Sequence, residues 1–297
     1  MKILAAILTF NRSVLLSRCI DSVLCQTRPP DELIVINNGS TDNTLIVLSS
    51  RNINVITQEN VGSSGGWHTA IEYAINFNFD AIWLMDDDGY ADPFALSLLE
   101  EKLLPNVSCA SSIVVNENSH NFFVFPFPLL KNNLFLNFFP FGKIKKVNEL
   151  SLLTKDGVYP FVHLFNGALL SIEAIRKVGN VRREFFIYGE EVDYFFRLRK
   201  YGCVISVLGA LQFHPDVNKR PFNSTKVYYY IKNTLILNRI YYNFIWFRNI
   251  LMIILILIRL SKRNSLYYTL LLIFGSYNFL LYRAIYRGLN GNLGRDF

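Results

Sequence analysis

Apolar and polar positions alternate in blocks along the first hundred residues, and the period changes from block to block. Lys2 to Thr9 is a continuous apolar run of strand length that stops at the loop "TFNRS". Behind it Leu15, Leu16, Cys19, Ile20, Val23 and Leu24 recur at helical spacing, with Ser13 placed to cap the helix and Pro29 and Pro30 to stop it. A second strand, "ELIVIN", runs into the turn "NGSTDNT". Next come a helix containing "LIVL", a short strand "NVIT", the glycine-rich "NVGSSGG", a helix from about Trp67 to Phe77 and the strand "AIWLM". Strands alternating with crossover helices predict an α/β architecture: a mostly parallel sheet with helices on both faces. In such sheets the ligand lies beyond the carboxyl ends of the strands. The polar clusters "TFNR", "NNGSTD" and "DDD" each end a strand, so three separate segments point to one crevice.

From Pro105 to about Pro160 the pattern weakens. The piece "HNFFVFPFPLLKNNLFLNFFPFGKIKK", an insertion at about 116–148, has no readable period. Its aromatics either pack on the core or on the tail, or form an acceptor-binding or membrane-dipping lobe, because aromatic faces stack on sugars and sit well at interfaces. Regular structure returns at "FVHLFNGALLSIEAIRKVG", a strand and then a helix. In "FFIYGEEVDYFFRLRKYG", Val192, Phe195, Phe196 and Arg199 recur at helical spacing behind Glu190, Glu191 and Asp193. The acids fall at the helix start, where the macrodipole favours negative charge.

A chain of 297 residues with 51% hydrophobic content can build one large core plus an attached segment, and disorder is excluded. We expect an α/β domain over 1–238 and a basic, apolar helical tail over 239–297. Charge supports a split. From Val217 onward there are twelve Lys and Arg and one acid, Asp296, which leaves 18 basic and 22 acidic residues before it from totals of 30 and 23. A basic tail could meet nucleic acid or an anionic membrane, and "NILMIILILIRL" cannot face water beside a nucleic acid, which excludes that partner. The apolar stretches Phe244 to Leu260 and Leu266 to Leu281 are interrupted by Arg248, Asn249, Arg259, Gly275, Ser276 and Asn278. Neither offers the ~20 apolar residues of a spanning helix. Tyr241, Tyr242, Trp246, Tyr267, Tyr268, Tyr277 and Tyr282 with flanking Arg and Lys suit helices lying in the interface, and burial against the domain or a second subunit, a homo-oligomer, is the alternative. Cys19, Cys25, Cys109 and Cys203 show neither metal-ligand nor disulfide spacing, which fits a reduced cytoplasmic setting. "MKILAAILTFNR" reads as a first strand, not a signal peptide.

Three adjacent carboxylates, Asp86, Asp87 and Asp88, close a buried strand, and their repulsion calls for a positive partner. Alternation along an extended backbone sends Asp86 and Asp88 to similar sides. One can bind a divalent metal while the other orients a ribose or a metal-bound water, and oxygen ligands suit Mg²⁺ or Mn²⁺. Among Glu190, Glu191 and Asp193, a carboxylate not committed to metal can act as general base. By residue type alone these three are equally an ordinary acidic helix turn, and His214 in "LQFHPD" an ordinary structural histidine.

The ordered series "TFNR", "VINNGSTDNT", "ENVGSSGG", "WLMDDDG", "FNGALLS", "FIYGEEVDYFFRLRKYG" and "FH" resembles the family-2 inverting glycosyltransferases of the GT-A, Rossmann-like fold. "NVGSSGGW", "LMDDDG", "YYYIKN" and "GLNGNLGR" resemble, more narrowly, bacterial galactofuranosyltransferases and rhamnosyltransferases that build surface polysaccharides. The likeness covers roughly the first 100 residues and about 160 to 235. It implies a nucleotide-sugar donor and a lipid-linked glycan acceptor at the cytoplasmic face of the cell membrane. It implies that Thr9, Phe10, Asn11 and Asn37 hold the nucleobase, with Arg12 and Asn60 in the same donor loops. Gly62, Gly65, Gly66 and Trp67 would bring backbone and an aromatic face near the donor. Asp86 and Asp87 would serve the nucleotide, Asp86, Asp88 and His214 a metal, and Glu191 the role of base, with Glu190 and Asp193 as alternatives. Asn37 and Glu191 depart from the Asp that many relatives carry.

These residues are read as a metal-dependent transferase moving galactofuranose from UDP-galactofuranose. The rivals are a rhamnosyltransferase using dTDP-rhamnose and a non-catalytic nucleotide-sugar-binding scaffold. A sugar nucleotidyltransferase would need a glycine-rich loop after the first strand, and "TFNRSVLL" has no glycine. A processive synthase would show Gln-x-x-Arg-Trp and clear spans.

Overall fold

The computed structural model describes residues 1–131, 135–136, 142–217 and 220–297. Two compact units divide them. One holds Met1–Val61, Gly66–Asn180 and Arg197–Asp216; the other holds Gly62–Gly65, Val181–Phe196 and Val217–Phe297.

The first unit runs β1 (Ile3–Thr9), α1 (Ser13–Leu24), β2 (Glu32–Asn37), α2 (Thr44–Ser49), β3 (Asn54–Thr57), α3 (Gly62–Asn76, its first turn in the second unit), β4 (Ala81–Asp86), β5 (Tyr90–Ala91), α4 (Ala95–Lys102), β6 (Val107–Asn116) and β7 (Ser119–Pro128). There follow β8 (Leu130–Lys131), β9 (Phe135–Leu136), β10 (Lys143–Lys146), α5 (Val147–Ser151), β11 (Val158–Tyr159), β12 (Asn166–Ser171), α6 (Ile172–Val178), the end of α7 (Glu190–Tyr201) and β13 (Cys203–His214). The apolar runs behave as central parallel strands, covered on both faces. β1 lies between β2 and β4 with Ile7 opposite both Val35 and Met85, and β3 continues the parallel half beyond β2. Past β4 the sheet turns mixed, because β12 runs antiparallel to both β4 and β6. Leu16, Cys19, Ile20 and Val23 on α1 bury the helical stripe read from the sequence against β1 and β4 residues Ile3, Ile7, Trp83 and Met85.

The aromatic insertion extends this sheet. β7 pairs antiparallel with β6, and β10 with β7. Phe123 and Phe127 are buried with Ile113, Val115, Ile144 and Tyr159, so these aromatics pack on the core. Residues 132–134 and 137–141 of the insertion lie outside the described residues.

The second unit contains α8 (Ser224–Tyr241), α9 (Ile245–Arg263), α10 (Leu266–Phe274) and α11 (Asn278–Leu289). Val227, Tyr228, Ile231 and Leu235 of α8 pack on Ile256, Leu260, Leu272, Leu281 and Ala284. Gly288 lets α11 approach α8 closely: a Cβ there would lie 2.9 Å from both the Lys232 carbonyl oxygen and Leu235 Cβ. The expected boundary at 238 is therefore corrected. It falls inside α8, which belongs with the tail because its apolar side is covered by α9, α10 and α11. Asp296 is buried here, paired with Lys232 Nζ at 2.5 Å and Arg287 Nε at 2.6 Å. Outside, α9 exposes Trp246, Ile250, Ile254 and Ile258 at four-residue spacing, Trp246 to 78%. Among the described residues no single helix is long and apolar enough to cross a membrane; the bent pair Leu266–Phe274 and Asn278–Leu289, at 68°, passes that test jointly.

Candidate functional site

Parallel pairing places the ends of β1, β2 and β4 side by side, with Leu8 opposite both Ile36 and Asp86. The three polar loops predicted to share a crevice meet there. Asn11, at φ 54°, ties two of them together: its Oδ1 accepts from the amides of Thr41 (2.7 Å) and Asp42 (3.3 Å), and its own amide donates to Ser40 Oγ. Asn37 is buried, with its Oδ1 accepting from the Ser40 amide at 3.1 Å. Asn60 Oδ1 accepts from Asn38 Nδ2 at 3.4 Å. These asparagines shape the loops, while Phe10 keeps an exposed ring.

The carboxylates find their positive partner within the chain. Asp87 and Asp88 are 2% and 4% exposed. Arg12 Nη1 lies 2.8 Å from Asp87 Oδ1 and 2.9 Å from Asp88 Oδ2, and the Thr9 hydroxyl donates to Asp87 Oδ2 at 2.7 Å. That guanidinium is one positive partner of the kind their repulsion calls for. Burial opposes the Arg12 charge, but Asp87, Asp88 and Asp86 together push its pKa above the usual range. Asp87 is thus anchored to the β1 loop by both its oxygens.

Asp88 faces a second group. Its Oδ1 lies 2.9 Å from His214 Nε2 at the end of β13, and His214 Nδ1 lies 2.7 Å from the Pro215 carbonyl oxygen. A carbonyl can only accept, so Nδ1 carries hydrogen and Nε2 is turned toward the carboxylate, the ring orientation usual for a ligating histidine. A buried carboxylate oxygen beside an imidazole nitrogen fits a divalent cation. Among the described residues no group of three or more His, Cys, Asp and Glu side chains lies close enough to hold a metal. The structure therefore brings together two of the three predicted ligands, Asp88 and His214, and does not gather Asp86 with them.

Trp67 requires a correction. It is 1% exposed and stacks on Phe165 with centroids 4.8 Å apart, so its face belongs to the core and is not offered to a donor. Gly66 is small for the same reason: a Cβ there would meet Leu8 Cδ1 at 2.3 Å.

In the second unit Gly62 and Gly65 open α3, and Glu190, Glu191 and Asp193 form the first turn of α7. Gly62, at φ 76°, faces the loop before α7, where a Cβ would lie 1.9 Å from the Phe186 carbonyl oxygen. That loop is strained. The Ile187 amide donates to the Phe185 carbonyl across Phe186 at φ 65°, ψ −64°, a tight γ-turn, and Tyr188 follows at φ 61°. Such non-glycine conformations cost ~1–3 kcal/mol each and persist where surroundings over-determine them.

The three acids are not equivalent. Asp193 is fully buried, 3.2 Å from Arg182 Nη1, and accepts from the Tyr241 hydroxyl at 2.6 Å. Glu190 is 5% exposed and accepts from the Ser63 hydroxyl at 2.5 Å, while its Oε2 has no hydrogen-bond partner. Burial, reinforced by the neighbouring Glu191 charge and opposed by Ser63 and its own backbone amide, pushes Glu190 up to about 7. Glu191 is the half-buried member of the turn. Sequence reading gave Ser63 and Asn233 no role of their own, and it set Tyr241 at a membrane interface, whereas the structure bonds its hydroxyl to Asp193. The signal for Asn233 was its place beside Lys232 inside the otherwise apolar "YYYIKNTLIL", where neither residue favours burial.

Comparison with known proteins bears on the family and the fold. Residues 5–153 match the model of glycosyl transferase family 2. The chain is 29% identical over 228 residues to galactofuranosyltransferase GlfT1 of Mycolicibacterium smegmatis, covering 71% of this chain and 70% of that one. It is 29% identical over 225 residues to GlfT1 of Mycobacterium tuberculosis, covering 72% and 70%. Among solved structures, GalNAc-T7 with UDP, GalNAc and Mn²⁺ superposes with a TM-score of 0.59 at 12% identity, over 83% of this chain and only about half (49%) of that one. The mannosyltransferase PcManGT from Pyrobaculum calidifontis, in complex with GDP-Man and Mn²⁺, has a TM-score of 0.55 at 14% identity, over 97% and 80%.

Proposed function

Since the chain belongs to glycosyl transferase family 2 and is a glycosyltransferase of the GT-A fold, we propose that it moves galactofuranose from UDP-galactofuranose onto a hydroxyl of a lipid-linked glycan, in assembly of a cell-surface polysaccharide of the lipopolysaccharide type. The observation that carries the donor assignment is the likeness to two galactofuranosyltransferases over some seven-tenths of the chain.

The loops after β1 and β2 would receive the nucleotide, with the exposed Phe10 ring beside the base. Asp88 and His214 would hold a divalent cation together with the donor diphosphate, and the imidazole tilts the choice to Mn²⁺ over Mg²⁺, which prefers oxygen ligands. Such a cation, when bound, neutralises charge on the departing UDP. Arg12 holds Asp87 and Asp88 in place before donor arrives. Glu191 is assigned as the base, because it is the half-buried acid of the turn, whereas Glu190 and Asp193 are buried. It takes the acceptor hydroxyl proton as that oxygen attacks the anomeric carbon opposite the breaking bond to UDP, which inverts the configuration.

A lipid-linked acceptor calls for a membrane surface, and the second unit suits the cytoplasmic face of one. α9 presents Trp246, Ile250, Ile254 and Ile258, with exposed Lys262 one further step along the same spacing. The sole acid after Asp216, Asp296, is buried against Lys232 and Arg287, so its negative charge is withdrawn from the surface. A basic, apolar face complements anionic lipid and repels a second copy of itself.

The deciding experiment offers the purified full chain a panel of nucleotide sugars, UDP-galactofuranose and dTDP-rhamnose among them, with a lipid-linked acceptor. UDP release requiring both UDP-galactofuranose and acceptor is expected. Turnover of another donor would overturn the sugar assignment, and release of no nucleotide from any donor would overturn the reading.

A further inference from the structure

We infer that Asn233, buried in the middle of α8, is a positioning residue for glycosyl transfer: its side-chain amide holds the loop that sets the first, acid-bearing turn of α7. This rests on the proposed function, which takes that turn as the source of the base.

Asn233 Nδ2 lies 2.9 Å from the Phe185 carbonyl oxygen, 3.0 Å from that of Ile187 and 2.6 Å from that of Tyr188. All three neighbours accept, so only the NH₂ end can face them, and the orientation of the amide follows from chemistry. These carbonyls bracket the γ-turn at Phe186 and the positive-φ Tyr188, directly before Gly189 and Glu190. Gly189, at φ 99°, lets the loop pass Asn233: a Cβ there would meet Asn233 Cβ at 3.0 Å. The loop is also held at its start, where the Gly294 amide donates to the Glu184 carbonyl and Lys232 Nζ holds the Gly294 carbonyl at 2.8 Å. On its far side the Ser64 amide donates to the Phe186 carbonyl at 3.2 Å. Adjacent residues of α8 thus secure both ends of one strained segment.

The other end of the amide points to function. Asn233 Oδ1 is buried and has no hydrogen-bond partner. A buried unpaired acceptor detracts from stability, so an apolar residue would pack α8 better. What an apolar residue cannot do is keep three carbonyls converged and the following carboxylates in register. Loss of that register should appear in turnover, since small misplacements of a reacting group cost rate steeply.

The test compares wild type with Asn233→Ala and Asn233→Asp, an isostere that sets oxygen against three carbonyl oxygens. Steady-state kinetics are run with whichever panel donor the wild type turns over, so a different donor refutes the sugar assignment and leaves this comparison intact. UDP affinity by calorimetry reports on the donor loops of the first unit. We expect kcat to fall about tenfold to a hundredfold in Asn233→Ala and further in Asn233→Asp, with donor KM and UDP affinity within about twofold of wild type. If the alanine variant no longer binds UDP, Asn233→Ser is read by the same criterion. A kcat within about twofold of wild type in Asn233→Ala, or kcat and UDP affinity falling in step in the alanine and serine variants, overturns the inference.

Discussion

Glu190 offers a sharp test of the electrostatics around the acidic turn. Its carboxyl is 5% exposed, one oxygen accepts from Ser63 and the other has no partner. Burial pushes it to about 7 from an ordinary 4.5. The sign follows from linkage. Below pH 4.5 the group is protonated in folded and unfolded chains alike and stability is undiminished. As pH rises from 4.5 through 7 the unfolded chain ionises first and the folded state loses ground. Above 7 the loss is complete. At ~1.4 kcal/mol per pKa unit, a rise of this size corresponds to about 3 kcal/mol. Glu190→Gln cannot ionise and keeps a polar end for Ser63. Urea unfolding of the full chain followed by circular dichroism, at pH 5 and pH 8.5, isolates this one group when variant is compared with wild type. The stabilities should agree within about 1 kcal/mol at pH 5, and the variant should be more stable by about 3 kcal/mol at pH 8.5. The same gap at both pH values, or a variant less stable at pH 8.5, would refute the reasoning.

Other expectations follow from the sites described. Asp88→Asn should lower kcat about a hundredfold or more, and chelation should silence the wild type until Mn²⁺ is restored; full turnover in chelator would remove the cation from the mechanism. Trp67→Ala, which empties a buried site against Phe165, should destabilise the chain by about 3–5 kcal/mol while donor KM stays unchanged, whereas a raised KM with little loss of stability would restore the tryptophan to the donor site. Ile250→Glu with Ile254→Glu, on the exposed stripe of α9, should stop the chain floating with anionic vesicles and leave its circular dichroism unaltered. Flotation equal to wild type would mean that another surface meets the lipid. Point changes are preferred to truncation near Asn238, which would cut through α8 and expose the core shared with α9 and α11.

Much of the first unit was legible because its information is local. The runs that became β1, β2 and β4 are apolar and short, and strand period and loop polarity alone placed "TFNR", "NNGSTD" and "DDD" at neighbouring strand ends. The acidic first turn of α7 was equally readable from spacing. Where periodicity failed, as in the aromatic insertion, side chains such as Phe127 find their cover across strands and not along the chain.

Which carboxylate does what was decided by partners far away in sequence. Arg12 reaches Asp87 across 75 positions, His214 reaches Asp88 across 126, and Ser63 reaches Glu190 across 127. No local pattern distinguishes Glu190, Glu191 and Asp193, whose burial and partners differ once helices pack around them. Trp67 sits in a glycine-rich loop motif that invites a ligand-facing reading, yet α3 turns it inward. The sequence by itself determined which loops carry the chemistry and that each ends a strand, since backbone preference and hydrophobic period act over a few residues. Tertiary structure decided which charges are neutralised, which are buried and which stay open to substrate, because desolvation and Coulomb terms depend on distance in space.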